Sequence, residues 1–278
     1  MSELNVGTLN VGTTQFTGDS STQNTVPTIA GLIGGSPSNG QVLKWNGSAW
    51  VAGSADAAGR LLAVNGYTND PGSSGASIEQ MRDGGTFTWT KPAGCNNVLV
   101  YVTGAGAGSS SNDSSYRGWT GGGGATAISW IDVSGDTSVT VTTGSGSQGV
   151  RGMGRAGTGG TSSFGSFCSA SGGRGGGESP YGGGRGGIAS GGNIANIPGG
   201  GGEGSHGDNV EMGGGCSFWH RTGGAHNNGN GQGDNDSYRR ERLKGRFGSG
   251  GGTCYGSQTA NESWRSGGAG FVMVFSYS

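Results

Sequence analysis

Runs of glycine, Gly121 to Gly124, Gly175 to Gly177 and Gly199 to Gly202, lie between stretches of ordinary β-strand sequence, and this enclosure restricts the chain more than any other feature. Glycine loses more backbone freedom on ordering than any other residue. With 69 glycines among 278 residues and 30% hydrophobic residues, one conventional apolar core cannot serve the whole chain, so another packing principle is required.

The enclosing strands are legible. Thr86-Phe87-Thr88-Trp89-Thr90 alternates apolar and polar, Pro92-Ala93-Gly94 turns, and Val98-Leu-Val-Tyr-Val-Thr103 is a continuous run suited to a buried strand. Ala125 to Ile131 and Ser138 to Thr142 add two strands around the turn Ser134-Gly135-Asp136, and Phe271 to Phe275 adds another. One β-module therefore ties both ends of a glycine-rich body at residues 144–270.

Collagen is excluded, because it needs glycine at every third position and abundant proline, whereas the chain has six prolines. A disordered low-complexity segment fits the composition. Arg174-Gly-Gly-Gly and Arg185-Gly-Gly suggest an RGG-type nucleic-acid segment, although such repeats are few and carboxylates offset the arginines. The remaining reading is a packed bundle of polyproline-II strands, with three residues per turn, backbone bonds directed outward, and missing side chains that permit close approach. Each interstrand bond contributes about 0.5–1.5 kcal/mol against about 1–2 kcal/mol for ordering a residue, so the bundle needs its β-module. The expected fold class is mainly β: an extended N-terminal assembly region and hairpin, then a small β-module enclosing a glycine-rich polyproline-II-type bundle.

The N-terminus carries a tandem pentapeptide, Leu4-Asn-Val6-Gly-Thr8 then Leu9-Asn-Val11-Gly-Thr13, which cannot bury its apolar side chains alone and is expected to pair with copies of itself or with a neighbour. In Gln41-Val-Leu-Lys-Trp45-Asn46-Gly47-Ser48-Ala-Trp50-Val51, Asn-Gly signals a hairpin; a two-residue loop sets Leu43 opposite Trp50 and Trp45 opposite Ser48. Leu4, Val6, Leu9, Val11, Trp45 and Trp50 are the expected oligomerisation and attachment residues. Residues 1–53 read as the attachment segment, 54–83 as a linker with one optional helical turn at Ser77 to Gln80, and 84–278 as the glycine-rich domain.

A net charge of −1 with 12% charged residues gives no surface for nucleic acid. No stretch has the roughly 20 apolar residues of a membrane span, and Met1-Ser-Glu-Leu4 lacks the start of a signal peptide, so synthesis in a host cytoplasm without membrane insertion is expected. Cys95, Cys168, Cys216 and Cys254 form no CxxC pair and read as free thiols. His206, His220 and His226 lack metal-ligand spacing, and no nucleophile elbow or catalytic order is recognisable; no metal, cofactor or enzymatic activity is expected.

Thr86 to Gly94, then Val98-Leu-Val-Tyr-Val-Thr-Gly-Ala-Gly-Ala-Gly108, Gly121-Gly-Gly-Gly-Ala125, Gly159-Gly-Thr-Ser-Ser-Phe-Gly165 and Gly268-Ala-Gly-Phe-Val-Met-Val-Phe275 resemble, in this order, the glycine-rich domain of bacteriophage tail fibres. The style is similar to the tip adhesins of T-even-like phages. That resemblance implies a sandwich of polyproline-II strands whose loops at one end contact the bacterial surface. The chain departs from free-standing tip adhesins in carrying its own N-terminal repeat and hairpin, which implies a whole small fibre or spike subunit.

The inserts that interrupt the glycine supply the candidate receptor-binding residues: Trp219, His220, Arg221, His226, Tyr238, Arg239, Arg240, Tyr255 and Trp264. Aromatic faces flanked by polar groups suit carbohydrate, and arginine pairs bidentately with phosphate or carboxylate. Phe218 and Trp219 can equally cap the bundle as a small core. The expected function is a virion tail-fibre or spike protein, a homotrimer by analogy, with other virion tail or fibre proteins and a bacterial surface glycan or outer-membrane protein as partners. The alternative is a purely structural virion protein.

Overall fold

The computed structural model describes residues 8–11, 14–17, 41–45, 48, 50–54, 59–69, 82–112, 117–151, 154–177, 182–204, 213–221, 245–252 and 265–278. The chain divides into two compact units, Met1–Ala57 and Ala58–Ser278.

In the first unit, β1 (Thr8–Val11) pairs antiparallel with β2 (Thr14–Thr17), so the second pentapeptide pairs with the segment that follows it. Leu4 and Val6 lie outside the described residues. The expected hairpin forms from β3 (Gln41–Trp45) and β4 (Trp50–Ser54), but in a different register: Trp45 pairs with Trp50 and Leu43 with Ala52. The loop thus spans residues 46–49. Ser48 and Ala49 have weak β preference, and the ladder resumes only at the β-prone Trp50-Val51.

The second unit contains two packed five-stranded sheets. Sheet one has the order β16-β10-β7-β17-β5, built from β5 (Leu61–Tyr67), β7 (Asn97–Thr103), β10 (Thr126–Asp132), β16 (Ala195–Ile197) and β17 (Phe271–Tyr277). Sheet two runs β15-β14-β13-β11-β6, from β6 (Gly85–Thr90), β11 (Ser138–Thr143), β13 (Ser162–Phe164), β14 (Cys168–Ala170) and β15 (Ala189–Ser190). Alternation sends Val98, Val100 and Val102 of β7 and Val272 and Val274 of β17 into the core, with Trp89, Val139, Val141 and Phe164 from sheet two. Trp89 and Phe164 meet edge to face at 5.8 Å. Residues 54–83 are not wholly a linker as expected: β5 forms within them. Leu61-Leu-Ala-Val64 lacks strand alternation and becomes a strand by lying as an edge against β17, with Phe275 opposite Val64. Ser77 to Gln80 lies outside the described residues.

The glycine body forms ten segments among the described residues: I (104–109), II (120–125), III (144–149), IV (156–160), V (171–177), VI (183–188), VII (198–203), VIII (213–217), IX (248–252) and X (265–270). Their hydrogen bonds follow the three-residue period of polyproline II. In segment II, the amides of Thr120 and Gly123 donate to VII (Glu203, Gly200), those of Gly121 and Gly124 to IX (Gly251, Gly248), and those of Gly122 and Ala125 to V (Arg174, Ser171), at 2.7–3.2 Å. In segment I, Gly104 and Ala107 donate to II, Ala105 to IV, and Gly106 and Ser109 to X.

Accepted bonds complete the geometry. Segment I also receives amides from III (Ser147), V (Gly173) and IX (Gly251), and II receives them from I (Ala107), VI (Gly184) and VIII (Gly215). Each of these two segments therefore has six neighbours, the coordination of hexagonal packing, and the other eight surround the pair. The eight follow one another around the ring in chain order, through bonds such as Gly160 to Ser145, Gly159 to Gly173, Arg174 to Arg185, Gly199 to Gly187, Gly200 to Cys216, Gly250 to Gly215 and Gly248 to Ala269. Gly270 to Gly144 closes X onto III.

Close approach explains the glycine. A Cβ at Gly106 would fall on the carbonyl of Ser249, and one at Gly123 on that of Cys216. In segments V and VI side chains occupy the outward third of each turn: Arg174, Arg185 and Ile188 are exposed. Arg-Gly-Gly is thus one outward and two inward positions. Gly106→Ala and Gly123→Ala should each destabilise the fold by about 1–3 kcal/mol or more in urea unfolding, because main chain cannot yield. Gly135→Ala, with open space around it and no positive φ, should be neutral or stabilise by about 0.4–1 kcal/mol.

Cys95, Cys168 and Cys216 are free thiols. Burial pushes the Cys168 thiol up from 9.0 to about 11. Because the folded value is raised, its contribution to stability is complete below pH 9 and is lost as pH rises through about 11. At pH 8, iodoacetamide should label exposed Cys216 and leave Cys168 unmodified until the protein unfolds, as read by peptide mass.

Candidate functional site

The bundle has two unlike ends. Segment I leaves β7 and II returns to β10, with Thr103 opposite Thr126 and their hydroxyls 2.8 Å apart at the junction. Segments III, V, VII and IX likewise run away from the sandwich, and IV, VI, VIII and X run back. At the far end five connections, at 110–119, 150–155, 178–182, 204–212 and 253–264, each join two segments that are neighbours in the array.

The described part of the far end is a small cap. There β8 (Ser110–Asn112) pairs with β9 (Arg117–Trp119) and, in parallel, with β12 (Val150–Arg151), while Trp119 bridges to Gly204. The Thr120 hydroxyl lies 2.6 Å from the Glu203 amide, which donates to it.

The sandwich end carries an aromatic cluster on the outer face of sheet one. Ser217 shapes it: its hydroxyl donates to the Phe247 carbonyl at 2.6 Å and accepts the amides of Trp219 and His220 at 3.3 and 3.1 Å. The Trp219 ring meets Tyr101 and Phe271 edge to face at 5.6 and 5.4 Å, and its indole N–H donates to the Thr103 hydroxyl at 2.9 Å. Phe218 stacks on Tyr101 and remains 47% exposed. His220 Nδ1 lies 3.0 Å from the Ser249 hydroxyl, which accepts the Arg246 amide at 2.9 Å. Phe247 adopts φ 44° and Gly248 φ 82° in the turn that brings segment IX back into the array.

A model of a glycine-rich domain matches residues 80–277. The chain belongs to this glycine-rich domain family. A search among curated proteins found no match. The family match begins after β5, the edge strand of sheet one.

Within this glycine-rich domain the candidate residues are not gathered in one place. Trp219, His220 and exposed Arg221 stand at the sandwich end, where the first two are occupied in packing and hydrogen bonding. His226, Tyr238, Arg239 and Arg240 lie outside the described residues, between Arg221 at the sandwich end and Gly245, whose amide donates to the Ser266 carbonyl of segment X at 2.9 Å. Tyr255 and Trp264 also lie outside them, between Gly252 and Arg265 at the far end. Trp45 is 56% exposed in the first unit. Leu9, Val11 and Trp50 are strand residues there. Sequence reasoning missed Tyr101, Phe271 and Thr103 as partners of Trp219, since nothing local relates them. Among the described residues no group of His, Cys, Asp or Glu is arranged to hold a metal ion.

Trp219→Ala should cost about 2–3 kcal/mol in urea unfolding, by removing a half-buried ring from three aromatic contacts. Trp219→Phe, which keeps the ring contact and loses the bond to Thr103, should cost about 0.5–1.5 kcal/mol.

Proposed function

We propose that this protein is a virion tail-fibre or spike subunit that attaches through its N-terminal unit and binds the host cell surface through the far-end loops of its glycine bundle. The observation that carries this reading is the contrast between the ends. At the sandwich end, aromatic and polar side chains are occupied in joining bundle to sheet, whereas the far end gathers five chain connections on a support whose bonds are almost all main chain. Function commonly resides in loops held by a rigid scaffold. The sequence resemblance to phage tail fibres points the same way, with bacterial surface glycan or an outer-membrane protein as the target and a trimer as the expected assembly.

The test is binding of the labelled protein to bacterial cells with and without their surface polysaccharide. Saturable binding that disappears with the polysaccharide is expected for a glycan target. Replacing Tyr255 and Trp264 together by alanine should weaken it about tenfold or more, as loss of aromatic anchors does, while Arg221→Ala should leave it unchanged. The opposite pattern would move the site to the sandwich end. Normal adsorption of particles lacking the protein would instead favour a purely structural virion component.

A further inference from the structure

We propose that Arg265, at the far end of segment X, anchors an oxyanion site that takes a carboxylate or phosphate group. Arg265 is only 2% exposed, and its Nε is buried without a hydrogen-bond partner. The bonds that hold the residue engage its main-chain carbonyl, which accepts the Ser109 amide at 3.0 Å and the Ser109 hydroxyl at 3.4 Å. A guanidinium stays charged at all accessible pH values, so burial cannot be relieved by losing a proton, as it can for lysine. A buried charge without a partner is strongly unfavourable, and planar oxyanions match the guanidinium fork in two parallel bonds.

No described carboxylate is positioned to serve. Asp83, Asp132 and Asp136 lie on or beside the sandwich strands, and Glu203 lies on segment VII, which borders II, VI and VIII and not X. A second observation points to the same end. Among the described residues six buried side-chain polar atoms lack partners; Trp89 Nε1 and Ser276 Oγ belong to the sandwich, whereas Arg265 Nε, Ser266 Oγ, Ser110 Oγ and Trp119 Nε1 all belong to the far end. Buried polar atoms in folded proteins are otherwise almost always satisfied, and each exception calls for an ion, a water or a ligand. At the junction with the sandwich, by contrast, Thr103, Thr126, Ser217 and Ser249 are all bonded.

That the natural anion is an acidic or phosphorylated sugar of a surface polysaccharide rests on the function proposed above; the oxyanion site itself does not. The test is thermal unfolding of the full chain in chloride and in inorganic phosphate at matched ionic strength. Phosphate should raise the unfolding temperature of the unmodified protein by a few degrees, through binding to the folded state alone. Arg265→Met should abolish that increment while unfolding in chloride at the same or a higher temperature, because an apolar stem replaces an unpaired charge. Arg265→Lys should retain a reduced increment, and it decides the matter if the methionine variant fails to fold. No increment in the unmodified protein, or an undiminished one in the variants, overturns the site.

Oligosaccharides bearing uronate or phosphate, compared with neutral ones of equal length, then separate the sources. If acidic sugars reproduce the phosphate increment and neutral ones do not, the site reads a glycan. If only inorganic phosphate acts and cells are not bound, the oxyanion site stands and the receptor reading falls.

Discussion

The structure depends on one constraint: in a three-residue helix, successive amides point in three directions, and each must find a carbonyl on a different neighbour. A β-strand satisfies its backbone within one sheet, with two neighbours. Segments I and II satisfy theirs with six, and this is possible only because side chains are absent where main chains meet. Glycine is here a packing residue. Its usual entropic disadvantage is offset by a density of main-chain bonds that no side chain could supply, and the positive φ values that normally justify glycine concern only a few turn positions such as Gly94, Gly165 and Gly248.

Bonds of this kind are individually weak, so the strands must be fixed before they can add up. The sandwich does this directly. β7 and β10 pair in register as far as Thr103 and Thr126, so segments I and II begin already aligned. β17 inserts between β7 and β5 and positions segment X against I and III. The aromatic cluster of Tyr101, Phe218, Trp219 and Phe271 fastens the end of segment VIII to the outer face of the same sheet. An apolar layer and a glycine layer, built on different principles, thus share one backbone register.

The apolar layer was legible in sequence because Thr86 to Thr90 alternates apolar and polar, while Val98 to Thr103 and Phe271 to Phe275 are continuous apolar runs suited to buried strands. The polyproline-II class was legible from glycine runs bracketed by those strands. The order of neighbours was not, since one glycine triplet looks like another and only the full bonding pattern distinguishes segment II from segment VI. β5 was missed because Leu61 to Val64 becomes a strand through β17, more than two hundred residues away in sequence. Trp219-His220-Arg221 reads locally as a ligand-facing insert, whereas Tyr101 and Phe271, which turn the tryptophan inward, are distant in the chain. Arg265 carries no local sign of its burial at all.

The ring runs in chain order, and each far-end connection therefore joins two segments that already touch. Length and sequence can change in any one of the five without shifting the register of the remaining segments, and the cost of a longer connection grows only slowly with its length. The architecture separates what must be kept from what is free to drift: the inward glycines tolerate almost no variation, while the surface they support can diversify one loop at a time.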